Sequence, residues 1–190
     1  MDVTRIAYLI LLAVVGVGRF AELRLSRRNQ KNMIAKGAAR VSEPHFQWMV
    51  LVHTAVLIGA GMEVIFLRRP LIPALAIPMA ILFVLSNALR WWVIRTLRSH
   101  WNVQIVNSAK LGVVSSGPYR WVRHPNYVAV FVELISLPLI YTAWISALVA
   151  AVGNGWVLHS RLAVEDRMLL SDAGYRASMG SKPRFLPKFN

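Results

Sequence analysis

Residues 117–127 read GPYRWVRHPNY, a stretch that gathers two tyrosines, a histidine, two arginines and an asparagine between prolines. Tyrosine, histidine and asparagine both donate and accept hydrogen bonds, and arginine presents a planar fork to anions. The same residues also suit a connector, with Pro118 starting a turn, Pro125 opening a helix, and arginine and tyrosine anchoring at a membrane interface. The density of polar groups favours a ligand loop, because irregular backbone beside lipid persists only where it is buried in protein or lines a cavity. A second group is Arg161 with Glu165, one helical turn apart, followed by Asp166. That spacing places guanidinium and carboxylate on one helix face, where they form either a surface pair or a binding face for a charged ligand. A third group is His53, Glu63, Asn87, Arg90 and Glu133, polar residues inside apolar runs and costly there unless partnered. Direct pairing of Glu63 with Arg90 is not expected from their positions, Arg90 is expected to snorkel, and Glu133 is expected to line the active cavity.

Other chemistries have little support. With no cysteine there is no disulfide, thiolate metal site or cysteine nucleophile, and the chain cannot itself be prenylated. His45, His53, His100, His124 and His159 form no close pair of the kind metals use, so no metal is expected. Neither a G-x-G-x-x-G nor a Walker pattern is present.

The elements that must position these groups are membrane helices. Hydrophobic residues make up 56% of the 190, and the mean hydropathy is +0.49, both high for a soluble domain. A net charge of +14 would suggest nucleic acid in a soluble chain; here the basic residues flank apolar runs, so a cytoplasmic membrane face is the reading and nucleic acid is not a partner. Apolar runs cover Val3–Phe20, Phe46–Leu67 and Leu71–Ile94, and no signal-peptidase pattern follows the first. The run Val128–His159 would extend about 48 Å as one helix against a bilayer core of roughly 30 Å, so it divides near Tyr141–Ala143, below Pro138. The fold expected is therefore an all-α integral membrane bundle of about five spans. It forms a single domain, with N-terminal spans over residues 1–84 and the catalytic region over 85–190. Five spans put seventeen lysines and arginines on one side and only Arg5, Arg68 and Arg69 on the other. That bias sets the N-terminus outside and the C-terminus with its site in the cytoplasm.

The stretch from Trp101 to Gln104, then Val113 to Tyr119, then Arg123-His124-Pro125-Asn126-Tyr127 resembles the isoprenylcysteine carboxyl methyltransferase family. The later Arg161-x-x-x-Glu165-Asp166 and Lys182 to Pro187 continue the likeness, which covers about residues 85–187; the first two spans are shared only as hydropathy. The resemblance implies a membrane methyltransferase that uses S-adenosylmethionine on a lipophilic or prenylated substrate. It places Gln104, Leu111, Gly112, Val113, Val114, Tyr119, His124, Pro125, Asn126, Tyr127 and Glu165 around the cofactor, and Arg161 at the acceptor. Ala129 stands where the family usually has glycine and Asp166 where glutamate is common, and with Glu133 these look like a bacterial branch acting on phenolic or pyrone lipids. A carboxylate acceptor would need only orientation by Arg161, whereas a phenol or enol must lose a proton, with Glu165 or Glu133 assisting. Two other readings are an NADPH-dependent lipid reductase, since the longer sterol reductases share R-H-P-N-Y, and a small membrane protein without enzymatic activity.

Overall fold

The computed structural model is all-α and 75% helical, and it describes residues 2–43, 45–107 and 111–187. Helix α1 runs Val3–Ala35, with the Asp2 carboxylate accepting from the Arg5 amide at 2.8 Å to cap its first turn. It extends well past the expected end at Phe20. Ser26, Asn29, Gln30 and Met33 are buried, and their i, i+3, i+4, i+7 spacing forms one helical stripe. The basic stretch beyond the apolar run thus continues the helix, with one polar buried face. The chain then forms a two-residue strand, β1 (Ala39–Arg40), which pairs antiparallel with β2 (Val106–Asn107). This ribbon ties the α1–α2 connection to the segment after the third helix.

Helices α2 (Phe46–Phe66) and α3 (Pro73–Leu97) form a hairpin through Arg68, which takes φ +49°. Helix α4 (Pro125–Leu139) begins on Pro125, as its missing N–H allows, and packs chiefly along α3. A turn at Ile140–Ala143 separates it from α5 (Trp144–Val149), so the long apolar run breaks where Pro138 and Tyr141–Ala143 indicate. Thr142, at φ +52°, closes that turn by donating to the Pro70 carbonyl at 2.6 Å. Helix α5 passes through a π-helical turn, Ala150–Asn154, into α6 (Gly155–Ser171), and a short α7 (Ala173–Met179) follows. Among the described residues, four stretches are long and apolar enough to cross a membrane: Val3–Ala35, Phe46–Phe66, Pro73–His100 and Trp144–Ser171. At 15 residues, α4 spans about 22 Å, short of the roughly 30 Å hydrocarbon core.

Small buried residues let the helices approach closely: Ala60, Ala143 and Ala150 have no exposed surface. Glu63 on α2 shows how an acid is tolerated among them. Its carboxylate accepts from the Ile145 amide (3.1 Å), the Ser146 amide (2.9 Å) and Ser146 Oγ (3.0 Å), and it takes Arg69 Nε at 3.0 Å. It therefore caps α5 from another helix. Asn87 spends its amide on the Phe83 carbonyl one turn back, at 2.9 Å. The connections holding Arg40, Arg98, Arg120, Arg123, Lys182 and Arg184 meet at one end of the bundle, and Arg5, Arg68 and Arg69 sit at the other. Lys110 and Lys188, part of the basic set, lie outside the described residues.

Gly117 opens the short turn Gly117–Arg120 at φ +56°, and a Cβ there would clash with Thr96 Oγ1. Both the backbone and α3 exclude a side chain. Gly117→Ala is expected to lower stability by about 1–3 kcal/mol, read as a fall in thermal midpoint in detergent, while Gly16→Ala, inside α1 and in open space, does not lower it.

Candidate active site

The segment after α3 is fastened to the polar stripe of α1. Asn29 Nδ2 donates to the carbonyls of Arg98 (3.0 Å) and Trp101 (2.9 Å), Ser26 Oγ accepts from the Val103 amide (2.9 Å), and Gln30 donates to Gln104 (2.9 Å). Trp101 is buried against Val93 and Ile94. These bonds hold an irregular backbone in place without a helix or sheet.

The GPYRWVRHPNY loop is held from its other side by the C-terminal segment. The amides of Arg123 and His124 donate to the carbonyls of Pro183 and Arg184, both at 2.9 Å, and Lys182 Nζ reaches the Tyr119 carbonyl at 2.9 Å. At the centre is Asp166 on α6, which takes Arg123 Nη1 (3.0 Å), His124 Nε2 (2.8 Å) and Arg184 Nε (2.7 Å). The acid expected beside the site is the knot that clamps loop, helix and tail together. His124 stacks on Tyr127, ring centroids 5.4 Å apart, and Tyr127 donates its hydroxyl to Glu165. Burial pushes the Tyr119 phenol above its ordinary range, and Tyr175 is pushed up to about 12 by burial and then by the Glu165 charge, so both remain hydrogen-bond donors at neutral pH.

Arg161 does not pair with Glu165. Its guanidinium faces Glu43 at 3.3 Å, donates to the Val103 carbonyl at 2.6 Å, and has Met49 Sδ 2.5 Å from Nη1. Glu43 also accepts from the Ile105 amide. Burial pushes the Glu43 carboxyl above its usual range against the pull of Arg161. The polar residues at membrane depth pair differently from expectation as well. Arg90, instead of snorkelling, is buried on Glu22 (2.5 and 2.9 Å), and Arg19 bridges Glu22 (2.6 Å) and Glu133. Glu63 and Arg90 indeed have other partners.

These groups surround a cavity of about 660 Å³, within the roughly 300–1,000 Å³ of small-molecule sites. Gln104, Gly112, Val113, Val114, Tyr119, His124, Asn126, Tyr127, Arg161 and Glu165 all stand on its wall. Three predicted residues stand elsewhere. Leu111 packs with Met33, Ala38 and Val106, Pro125 is buried at the start of α4, and Glu133 is buried behind Arg19. Beyond Arg19 and Glu22 the wall becomes apolar, with Leu12, Ala13 and Gly16 of α1 and Thr54, Leu57 and Ile58 of α2. Sequence reasoning missed Glu43, Arg19 and Glu22. A charged residue inside an apolar run was the available signal for Arg19, and Glu22 follows one turn later on the same helix; Glu43, in a polar connection, offered none.

The wall retains polar atoms with no partner among the described residues: Asn102 Nδ2, Asn126 Oδ1 and Arg161 Nε. Donors and acceptors left over near one another suit a ligand with amine, carboxylate and sugar groups.

Residues 79–171 match the isoprenylcysteine carboxyl methyltransferase (ICMT) family. The uncharacterized protein YpbQ of Bacillus subtilis is 30% identical over 161 residues, covering 84% of this chain and 95% of that protein. An uncharacterized protein of Haemophilus influenzae is 32% identical over 132 residues, covering 69% of this chain and 76% of its own length.

Breaking the Asp166 knot leaves two guanidinium groups without their anion. Asp166→Ala is expected to cost about 3–5 kcal/mol and to free the tail, read as faster tryptic cleavage after Arg184 in the folded protein.

Proposed function

Because the chain belongs to the isoprenylcysteine carboxyl methyltransferase family, whose methyltransferases use S-adenosylmethionine in general, we propose that it is an integral membrane O-methyltransferase using that cofactor on a lipophilic acceptor. The observation that carries this reading is one cavity with two characters. Tyr119, His124, Asn126, Tyr127 and Glu165 line its polar end, and the apolar faces of α1 and α2 line the other.

The polar end suits the cofactor. Bound there, S-adenosylmethionine supplies an electrophilic methyl group on a sulfonium. Glu165, oriented by the Tyr127 hydroxyl, balances positive charge. Asn102 Nδ2 and Asn126 Oδ1 find partners in the ligand. Tyr119 and the backbone of Gly112–Val114 close the pocket, and Gln104 is fixed by Gln30. Arg161 marks the acceptor side, its guanidinium oriented by Glu43 and Val103. Glu133 acts on the site through Arg19. Enclosure in a water-poor site favours a displacement in which charge is neutralised, provided donor and acceptor are held in line. The clustering of basic residues at the end that carries the site supports a cytoplasmic face, an outside N-terminus and α4 as a fifth, short span. The acceptor then enters between helices from the bilayer.

Equilibrium binding to the detergent-purified protein tests the cofactor. S-adenosylhomocysteine is expected to bind and NADPH is not; the reverse result makes the protein a reductase, and binding of neither removes the enzymatic reading. With methyl-labelled cofactor and lipid extract, a labelled lipid is expected. Glu165→Gln should weaken cofactor binding about 10- to 100-fold, the worth of a hydrogen bond to a charged group. Should Arg161→Ala leave both affinity and rate unchanged, the acceptor role assigned to it is wrong.

A further inference from the structure

Arg167 of α6 and Arg176 of α7 are exposed, and Arg184 of the C-terminal segment joins them around one surface groove. Among the described residues, Asp166 is the one acid on its wall. Both Asp166 oxygens are already taken, Oδ1 by Arg123 and His124 and Oδ2 by Arg184. Asp172, the next acid along the chain, accepts from the Tyr175 amide at 2.8 Å and caps α7. Arg176 reaches only main-chain oxygens, the Leu170 carbonyl at 3.0 Å and the Ser171 carbonyl at 3.5 Å. Arg167 has no partner among the described residues. Three guanidinium groups therefore rim a groove whose single carboxylate is shared with two further groups.

The surroundings of the groove suit the surface of a bilayer. Along α6 the exposed residues Trp156, His159, Ala163 and Arg167 follow one another at helical spacing, so one outward stripe passes from an aromatic ring to a cation. That order is the one expected of a helix leaving hydrocarbon through the headgroup layer. Next to Arg184 the tail exposes Phe185 and Leu186. The loop to which the tail is bonded exposes Trp121, which packs edge-on against Trp92 of α3 with ring centroids 5.8 Å apart. Cations with apolar neighbours fit an amphiphile that carries an anion: the arginines take its charged oxygens and the tail takes its hydrocarbon. A soluble anion would leave Phe185 and Leu186 facing water.

We propose that Arg167, Arg176 and Arg184 form a binding site for the phosphate headgroup of an anionic phospholipid, and that the lipid fastens the C-terminal segment over the cofactor loop. The headgroup supplies the anion that the chain itself lacks here, its phosphate oxygens accepting from the guanidinium forks. The consequence reaches the cavity through bonds of the tail. Lys182 holds the Tyr119 carbonyl, and the carbonyls of Pro183 and Arg184 accept from the Arg123 and His124 amides. A lipid that steadies Arg184 and Phe185 thus steadies the wall on which Tyr119 and His124 stand. The lipid site is independent of what the cavity binds; only its effect on the cofactor rests on the methyltransferase reading above.

The test uses the full chain in detergent and reads retained lipid by native mass spectrometry, with phosphatidylglycerol and phosphatidylcholine of equal chain length in competition. An arginine at an anionic surface is worth about fivefold in affinity. Phosphatidylglycerol is therefore expected to win by about 100-fold in the wild type and by about fivefold in Arg167→Gln/Arg176→Gln. Arg27→Gln/Arg28→Gln removes as much charge from exposed positions on α1 and keeps the wild-type preference. Equal losses in the two double variants mean diffuse surface charge and overturn the site, as does equal retention of both lipids by the wild type. Displacement of phosphatidylglycerol by equimolar glycerol phosphate makes the groove a site for free phosphate and overturns the lipid assignment. In nanodiscs, S-adenosylhomocysteine is expected to bind several-fold more tightly with phosphatidylglycerol than with phosphatidylcholine, a gain that Arg167→Gln/Arg176→Gln loses. Cofactor affinity indifferent to the lipid, with the lipid preference intact, overturns the coupling. If S-adenosylhomocysteine does not bind at all, the methyltransferase reading fails and the lipid site stands on the retention measurement.

Discussion

Negative charge is the scarce resource of this molecule. Eight carboxylates stand against 22 lysines and arginines, and each of the eight is committed to a contact. Asp2 and Asp172 cap helices within their own segments, and Glu63 caps one from across the bundle. Glu22 and Glu133 neutralise the arginines at membrane depth, Glu43 holds Arg161, Glu165 receives Tyr127, and Asp166 joins loop to tail. A buried cation without its anion would cost several kcal/mol, so the positions of the acids dictate where the arginines can go. The helices supply hydrophobic surface almost without specificity; the acids fix which faces meet.

Much of this arrangement was legible in the sequence, and the boundary follows a physical line. Local signals read well. Pro125 as a helix start, the break around Tyr141–Ala143 and the tight turn opened by Gly117 and Pro118 all depend on backbone preferences within a few residues. Partner choice did not read. Arg161 and Glu165 have ideal spacing on one helix, yet each bonds across to another element, because tertiary neighbours at low dielectric outweigh an i, i+4 contact worth a few tenths of a kcal/mol. Glu43 was invisible for the same reason. The second half of α1 lay beyond the apolar run because its buried stripe is polar, and hydropathy alone does not mark a polar helix face.

The site is built from segments with little regular structure, residues 101–106 and 111–124, yet it is firmly fixed. Side chains of α1 and the C-terminal segment supply the hydrogen bonds that a sheet would otherwise provide. Tyr119, Asn126 and Tyr127 of the loop thereby stand on the cavity wall.

The π-helical turn at Ala150–Asn154 sets the phase of everything after it. A π turn holds one residue more than the α-helix it interrupts, and one residue is worth about 100° of rotation around a helix axis. The helix from Trp144 to Ser171 therefore answers to two registers. Its first part is indexed to Glu63, where Ser146 docks, and its second to the cavity, where Arg161 and Glu165 emerge. Loss of a single residue between 150 and 154 would leave composition and hydropathy almost untouched. It would also turn both side chains about 100° from the cavity, so in this stretch the length of the chain carries more information than the identity of its residues.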